Sequence, residues 1–292
     1  VTVAFFKLQV AGDGIILVDR SRPGHEEIRA RPDLLSGLAA AMADSRRGVG
    51  GRGVAFVDGT SALDARVFSA DGKESYSDGD ALLCIARWAF DSGRTAAGKV
   101  RIGTPAGERI LSALDSRSFA VELPAPPLDG VFRMELLLDG LPETAFSFDW
   151  HGRWAASIGG LKGATPKRVR EALAAAFPGS APVVVRPVGR ELVRFATADG
   201  ADRVCAAALA VAAGILAGKT DSAAVAEWRG RGAAVAYADF GVPQERPAEL
   251  PSAGPGSLID RGRFYADWKR PGAVLAAGIA EYAFEGSFDY YP

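Results

Sequence analysis

The sequence predicts an α/β (α+β) protein of two similar halves, each made of strands wrapped around one central buried helix. Three observations carry this. Ala81–Phe90 and Val204–Ala217 are apolar on almost every side, and a helix apolar all round is buried all round. A motif recurs ahead of each: Phe68-Ser-Ala-Asp-Gly72 before the first and Phe195-Ala-Thr-Ala-Asp-Gly200 before the second, with Phe68 to Phe195 and Asp78 to Cys205 both spanning 127 residues. Short motifs recur by chance, but two buried helices at matching offsets point to a duplicated unit. Between the halves, Pro124-Ala-Pro-Pro127 reads as a linker, because prolines cannot donate to a ladder and the residue before one avoids helix. The expected domains are 1–125 and 128–283.

Composition bounds the function. The 292 residues are 48% hydrophobic and 24% charged, ordinary for a chain with a core and against disorder. With 34 basic and 35 acidic residues the net charge is −1, so no positive excess exists to hold a nucleic-acid backbone. Cys84 and Cys205 are the two cysteines and His25 and His151 the two histidines, too few for a disulfide framework or a His-rich metal site. Val1–Val10 carries Lys7 inside its apolar run and does not read as a signal peptide. The longest uncharged apolar run, Val204–Gly218, falls short of the roughly 20 residues a bilayer span needs. No membrane partner is expected, and the expected location is cytoplasmic.

In chain order, Val3–Val10 and Ile15–Val18 flank the turn Ala11–Gly14 as a hairpin. Arg31–Asp44 has helical apolar spacing at Leu34, Leu35, Leu38 and Met42. Strands follow at Val54–Val57 and Arg66–Ser69. Asp78 or Asp80 caps the first buried helix, and Leu83 and Ile85 are its core residues. Val100–Ile102 and Arg109–Leu111 form a hairpin around Thr104–Gly107. Strands are expected at Phe132–Leu138 and Ala145–Trp150, then a helix over Pro166–Phe177, with Pro166 in its first turn. Val183–Arg186 and Leu192–Phe195 are strands. Asp202 caps the second buried helix, with Leu209 and Ile215 in the core, and the helix stops near Gly218. Strands at Ala233–Tyr237 and Val274–Tyr282 bracket Gly241–Ala273, a proline- and glycine-rich stretch that reads either as a lid or partner-binding segment or as a solvent-facing insertion. Gly48–Gly53, beside Arg46, Arg47 and Arg52, reads as an anion-holding loop or an ordinary connection; it lacks the Lys-Ser/Thr ending of a P-loop.

Four stretches together resemble the diaminopimelate epimerase family, whose fold is shared with proline racemases: Phe6–Asp19, Arg66–Glu74, Thr104–Gly107 and the lead-in to Cys205. The resemblance implies two pseudo-symmetric domains, each a curved, mainly antiparallel sheet around a central helix, with a final strand at 284–292 returning to the first domain. It implies proton transfer at an activated carbon by two thiols at the helix starts, facing each other across an interdomain cleft, without cofactor or metal. A small-molecule ligand in that cleft is the expected partner, with a homodimer allowed. Aligned without gaps, the second thiol falls on Cys205 and the first on Asp78; Cys84 lies inside the helix and does not replace it.

The catalytic candidates are therefore Asp78 and Cys205, and the substrate-binding candidates Asp13, Ser69, Gly79, Asp80 and Thr197. A carboxyl near its ordinary pKa of about 3.9 is a weak base for a carbon-bound proton, so Asp78 reads either as a base raised by burial or as a helix cap. Cys205 likewise reads as catalytic thiol or as a small buried residue. The glycine-rich turns the family uses to hold an anion are here Gly79-Asp80-Ala81 and Ala206-Ala207-Ala208, and its Glu-Arg pair is Ala196-Thr197. Asp13, Asp78 and Asp80 repel an anion, so a free amino acid such as diaminopimelate is not the expected substrate. The function read from sequence is an atypical cofactor-independent isomerase or epimerase, or else a binding or scaffold protein that kept the fold.

Overall fold

The computed structural model describes residues 1–60, 62–75, 78–95, 98–126, 129, 131–138, 141–150, 153–159, 166–197, 201–231, 263–268 and 272–291. They form two compact units, Val1–Glu122 with Gly278–Pro292, and Leu123–Ala277. The strand expected at Ala233–Tyr237, residues 198–200 of the second motif, Pro127, residue 128 and most of Gly241–Ala273 lie outside the described residues.

In the first unit, β1 (Thr2–Val10) and β2 (Asp13–Asp19) pair antiparallel with Val10 opposite Asp13. The connection is Ala11-Gly12, both at positive φ (48° and 89°), which is the geometry of a two-residue hairpin turn and explains the glycine. The helix expected over Arg31–Asp44 is a 3-10 turn at Pro32–Leu34 that runs into α2 (Leu35–Ala43). A separate short helix, α1 (Glu26–Ala30), precedes it and ends before Pro32, which lacks the N–H that would continue it. Then come β3 (Gly53–Asp58), β4 (Leu63–Ser69), the short β5 (Glu74–Ser75), α3 (Gly79–Asp91), β6 (Lys99–Gly103), β7 (Arg109–Ala113) and β8 (Ser118–Leu123). Ile16 and Val18 pack with Leu35, Leu38 and Met42 of α2, together with Phe56 and Phe68. Ile15 and Leu17 point the other way, as strand alternation requires, and the fully buried Leu83, Cys84 and Ile85 of α3 lie on the other side of the sheet from α2.

The second unit contains β9 (Phe132–Leu138), β10 (Leu141–Asp149), β11 (Arg153–Ile158), α4 (Pro166–Ala176), β12 (Ala181–Pro187), β13 (Leu192–Thr197), α5 (Arg203–Leu216), β14 (Ala223–Arg231), β15 (Arg263–Trp268) and the start of β16 (Val274–Asp289). Val169 and Leu173 of α4 pack on Leu136, Leu138, Ala155, Val184 and Ala196. α5 packs against β11 to β15 on the opposite face, where Phe195 is fully buried. Burying such a ring contributes roughly 2–3 kcal/mol. Ile215 is only half-buried, a correction to its expected place in the core, because it falls in the last turn of α5.

The pairing order is the same in both units. β1–β2 is antiparallel, β2–β3 parallel across helices, β3–β4 antiparallel, β4–β6 parallel across α3, and β6–β7–β8 antiparallel. β10–β11 is antiparallel, β11–β12 parallel across α4, β12–β13 antiparallel, β13–β14 parallel across α5, and β14–β15–β16 antiparallel. The final strand expected at 284–292 is the second part of one long strand, β16, which pairs antiparallel with β1 from Val10–Ala280 to Thr2–Asp289. β9 takes the corresponding place beside β10.

Candidate functional site

In each unit the buried helix joins two parallel strands, so it runs antiparallel to them and its N-terminus lies at their carboxyl ends. This is the end where α/β sheets present ligand sites. In the first unit that end carries Asp78, which resolves the capping alternative: Asp78 is the N-cap of α3, and its carboxylate accepts from the Ala81 N–H at 2.9 Å. Gly79 is the first helical residue and Asp80 the second. Asp80 is fully buried and Asp78 nearly so. Arg52 supplies the countercharge. Its Nη2 donates to Asp78 Oδ1 and lies 3.5 Å from Asp80 Oδ2. Arg52 is held in turn by its backbone, whose N–H donates to Gly14 O at 2.8 Å and whose carbonyl accepts from Ala70 N–H at 3.0 Å. Lys7 is buried beside this loop and donates to Gly50 O; burial holds its ammonium below the ordinary lysine range. Cys84 is fully buried one turn further along α3. Burial, then the negative charges of Asp80 and Asp78, push its thiol well up, leaving it an unreactive core thiol.

Ser69 Oγ lies 2.5 Å from Asp71 Oδ1 and 2.9 Å from Lys73 O, so it closes the Asp71–Lys73 turn. Asp13 is the half-buried first residue of β2. The Gly48–Gly53 loop is not an anion nest. The N–H groups of Arg46 and Arg47 donate to Asp44 Oδ1, and those of Gly48, Val49, Gly50, Gly51 and Arg52 donate to backbone carbonyls. The open depression beside it, about 490 Å³, is lined by Asp44, Ser45, Arg46 and Gly51 among others.

In the second unit the same end carries Asp202, Arg203 and Cys205. Asp202 is the N-cap of α5, and its Oδ1 accepts from the Cys205 N–H at 2.9 Å. Cys205 is therefore the third helical residue, not the cap. This corrects the gapless alignment: Asp78 and Cys205 do not occupy equivalent helix positions. Ala206, Ala207 and Ala208 are buried as helix packing. The guanidinium of Arg203 lies 4.0 Å from the centre of the Trp228 ring on β14. Thr197 is 2% exposed at the end of β13, and among the described residues its buried hydroxyl has no hydrogen-bond partner; the same holds for the indole N–H of Trp228. Sequence reasoning misses Arg52, Arg203 and Trp228 as site residues: Arg52 enters it as part of an anion-holding loop or an ordinary connection, and Trp228 falls in a stretch without a strand signal. Among the described residues no group of three or more His, Cys, Asp or Glu side chains is placed to hold a metal, and no helix is long and apolar enough to cross a membrane.

No family model matches the chain. A diaminopimelate epimerase from Pelotomaculum thermopropionicum is 30% identical over 144 residues, which is 47% of this chain and 49% of that protein. The chain thus spans about half the length of this curated relative. A phenazine biosynthesis protein of the PhzF family from Enterococcus faecalis has a TM-score of 0.59 at 13% identity, over 99% of this chain and 100% of that one. A hydroxyproline epimerase from Agrobacterium vitis, solved with trans-4-hydroxy-L-proline bound, has a TM-score of 0.55 at 12% identity, over 98% and 91%. At such identities the likeness to the solved structures is one of fold.

Proposed function

We propose that this chain, a member of the diaminopimelate epimerase-like fold family, is an atypical isomerase of the epimerase and racemase type, working by proton transfer at an activated carbon. Its relatives in sequence and neighbours in fold include epimerases. The observation that carries the reading is Cys205, a thiol in the first turn of a buried 14-residue helix at the carboxyl ends of parallel strands. There the helix field favours a negative group, a preference that the capping Asp202 carboxylate already meets in part. Cys205 is the proton-carrying thiol and Asp78 the carboxylate opposed to it. One takes a proton from the carbon, the other returns one to the opposite face, and both must reach the same atom.

One observation favours the second reading, a binding protein without chemistry. Asp78 is already committed twice, to the Arg52 guanidinium and to the Ala81 N–H it caps. The two readings separate in deuterated water. The protein is incubated with L- and D-amino acids, their amides and their N-acyl derivatives, and the products are read by mass. The isomerase reading expects deuterium at an activated carbon of at least one compound, lost in Cys205→Ala, with diaminopimelate itself unchanged. No incorporation, or incorporation that survives in Cys205→Ala, leaves the binding reading.

A further inference from the structure

We infer that the α5 end of the second unit takes an uncharged hydrogen-bond acceptor, the carbonyl of an amide, ester or ketone, through the Thr197 hydroxyl and the Trp228 indole N–H. The inference deepens the function proposed above and rests on the same α5 site. It begins from what that helix end can no longer do. A carboxylate bound at a helix N-terminus draws on the first-turn N–H groups. Here the Cys205 N–H already donates to the Asp202 carboxylate at 2.9 Å. The protein's own anion fills that place, and a second one would meet its charge.

Two of the buried polar atoms without a partner among the described residues point to what does bind. Residues Val183 and Thr197 are paired across β12 and β13, as are Val184 and Ala196. Val184 and Ala196 pack against α4, so alternation turns Thr197 to the opposite face, that of α5. Trp228 is in register with Phe195 on the neighbouring strand, and Arg203 of α5 lies over its ring. Both groups therefore sit on the α5 face, at the carboxyl ends of the parallel strands β13 and β14. An indole N–H only donates, and a hydroxyl donates or accepts. A buried polar atom with no partner costs stability, and sites that accept such a cost are characteristically functional. Two donors on the α5 face, where the Asp202 carboxylate already caps the helix and the Arg203 guanidinium lies over the Trp228 ring, match a neutral carbonyl oxygen.

The test reads binding, not turnover. In ¹⁵N-labelled protein the five tryptophans give separate indole N–H signals, and that of Trp228 is the one lost in Trp228→Phe. N-acetyl-L-alaninamide should shift this signal saturably. N-acetyl-L-alanine, the matching carboxylate, should bind more weakly. Thr197→Val should weaken the amide probe roughly fivefold, the loss of about one hydrogen bond, while raising the thermal midpoint, because it removes an unsatisfied hydroxyl. Thr197→Ser should restore affinity. Equal or tighter binding of the carboxylate, no shift with either probe, or unchanged affinity in Thr197→Val overturns the inference. Amide binding that persists in Cys205→Ala without any deuterium exchange in the parent protein sinks the isomerase reading and leaves this one standing.

Discussion

Asp78 and Asp202 hold the same place in their helices. Each is the N-cap, and each accepts the N–H of the third helical residue at 2.9 Å. The two caps are 124 residues apart, three fewer than the 127-residue spacing of the sequence repeat. The structural counterpart of Cys205 is therefore Ala81, and that of Asp78 is Asp202. Three helical residues amount to about 4.5 Å along a helix axis.

The Asp78 cap carries the Arg52 guanidinium as well, so its loss should exceed the about 1 kcal/mol of a cap alone. Asp78→Ala removes the cap and also takes a carboxylate from the partly buried Arg52. Leaving such a charge short of its partner is costly, so a loss of about 2–4 kcal/mol is expected. Urea midpoints of the parent and Asp78→Ala measure it, and a loss of no more than about 1 kcal/mol would show that the Arg52 pair contributes nothing net.

Leu83→Ala, Ile85→Ala and Leu209→Ala each empty a fully buried site and should cost roughly 2–5 kcal/mol. Ile215→Ala should cost visibly less, since that side chain is only half-buried. Denaturant midpoints that rank Ile215 with the other three would contradict the placement of α5.

Much of this fold was legible because its signals are local. The all-apolar stretches could only be buried helices, and the alternation in Phe132–Leu138 marked β9. The duplication was visible as well, yet its register was not. β5 (Glu74–Ser75) lies between β4 and α3, so a helix start cannot be counted from the preceding phenylalanine. Ser118–Leu123 and Ala223–Arg231 were not read as strands, because what makes them strands is pairing with distant partners. The site was legible only in part for the same reason. Asp78 and Cys205 stand out by spacing, whereas Arg52 meets Asp78 across 26 residues of chain and Trp228 meets Arg203 across 25.

Lys7 gives a pH-dependent prediction of definite sign. Burial lowers its pKa in the folded protein below the ordinary 10.5, so between the two values the unfolded chain binds more protons and stability rises with pH. The burial penalty is complete below the folded pKa and gone above 10.5. Lys7→Met should therefore gain most relative to the parent at neutral pH, and this gain should shrink as pH rises toward 10.5. Urea unfolding of both proteins at pH 7, 9 and 10 measures it; a difference that grows with pH would contradict the burial of the ammonium.

The last prediction concerns His25, whose ring is committed at both nitrogens. Nε2 lies 2.9 Å from the Ala4 N–H, which can only donate, so Nε2 must offer its lone pair. Nδ1 lies 2.6 Å from Asp19 O, which can only accept, so Nδ1 must carry the proton. The ring is thus fixed in a single tautomer, tying β1 to the end of β2 in addition to their ladder. Nitrogen NMR of the ring should show Nδ1 protonated and Nε2 bare. His25→Ala leaves both the Ala4 N–H and the Asp19 carbonyl without this partner. The Asp19 carbonyl keeps the Arg22 N–H at 3.3 Å, so the Ala4 N–H is the group left unsatisfied; at about 1–3 kcal/mol for such a group, the variant should lose about that much stability, together with the protection of Ala4 at neutral pH. An Ala4 amide that exchanges at the same rate in the parent protein and in His25→Ala would show that the ring is not its partner in solution.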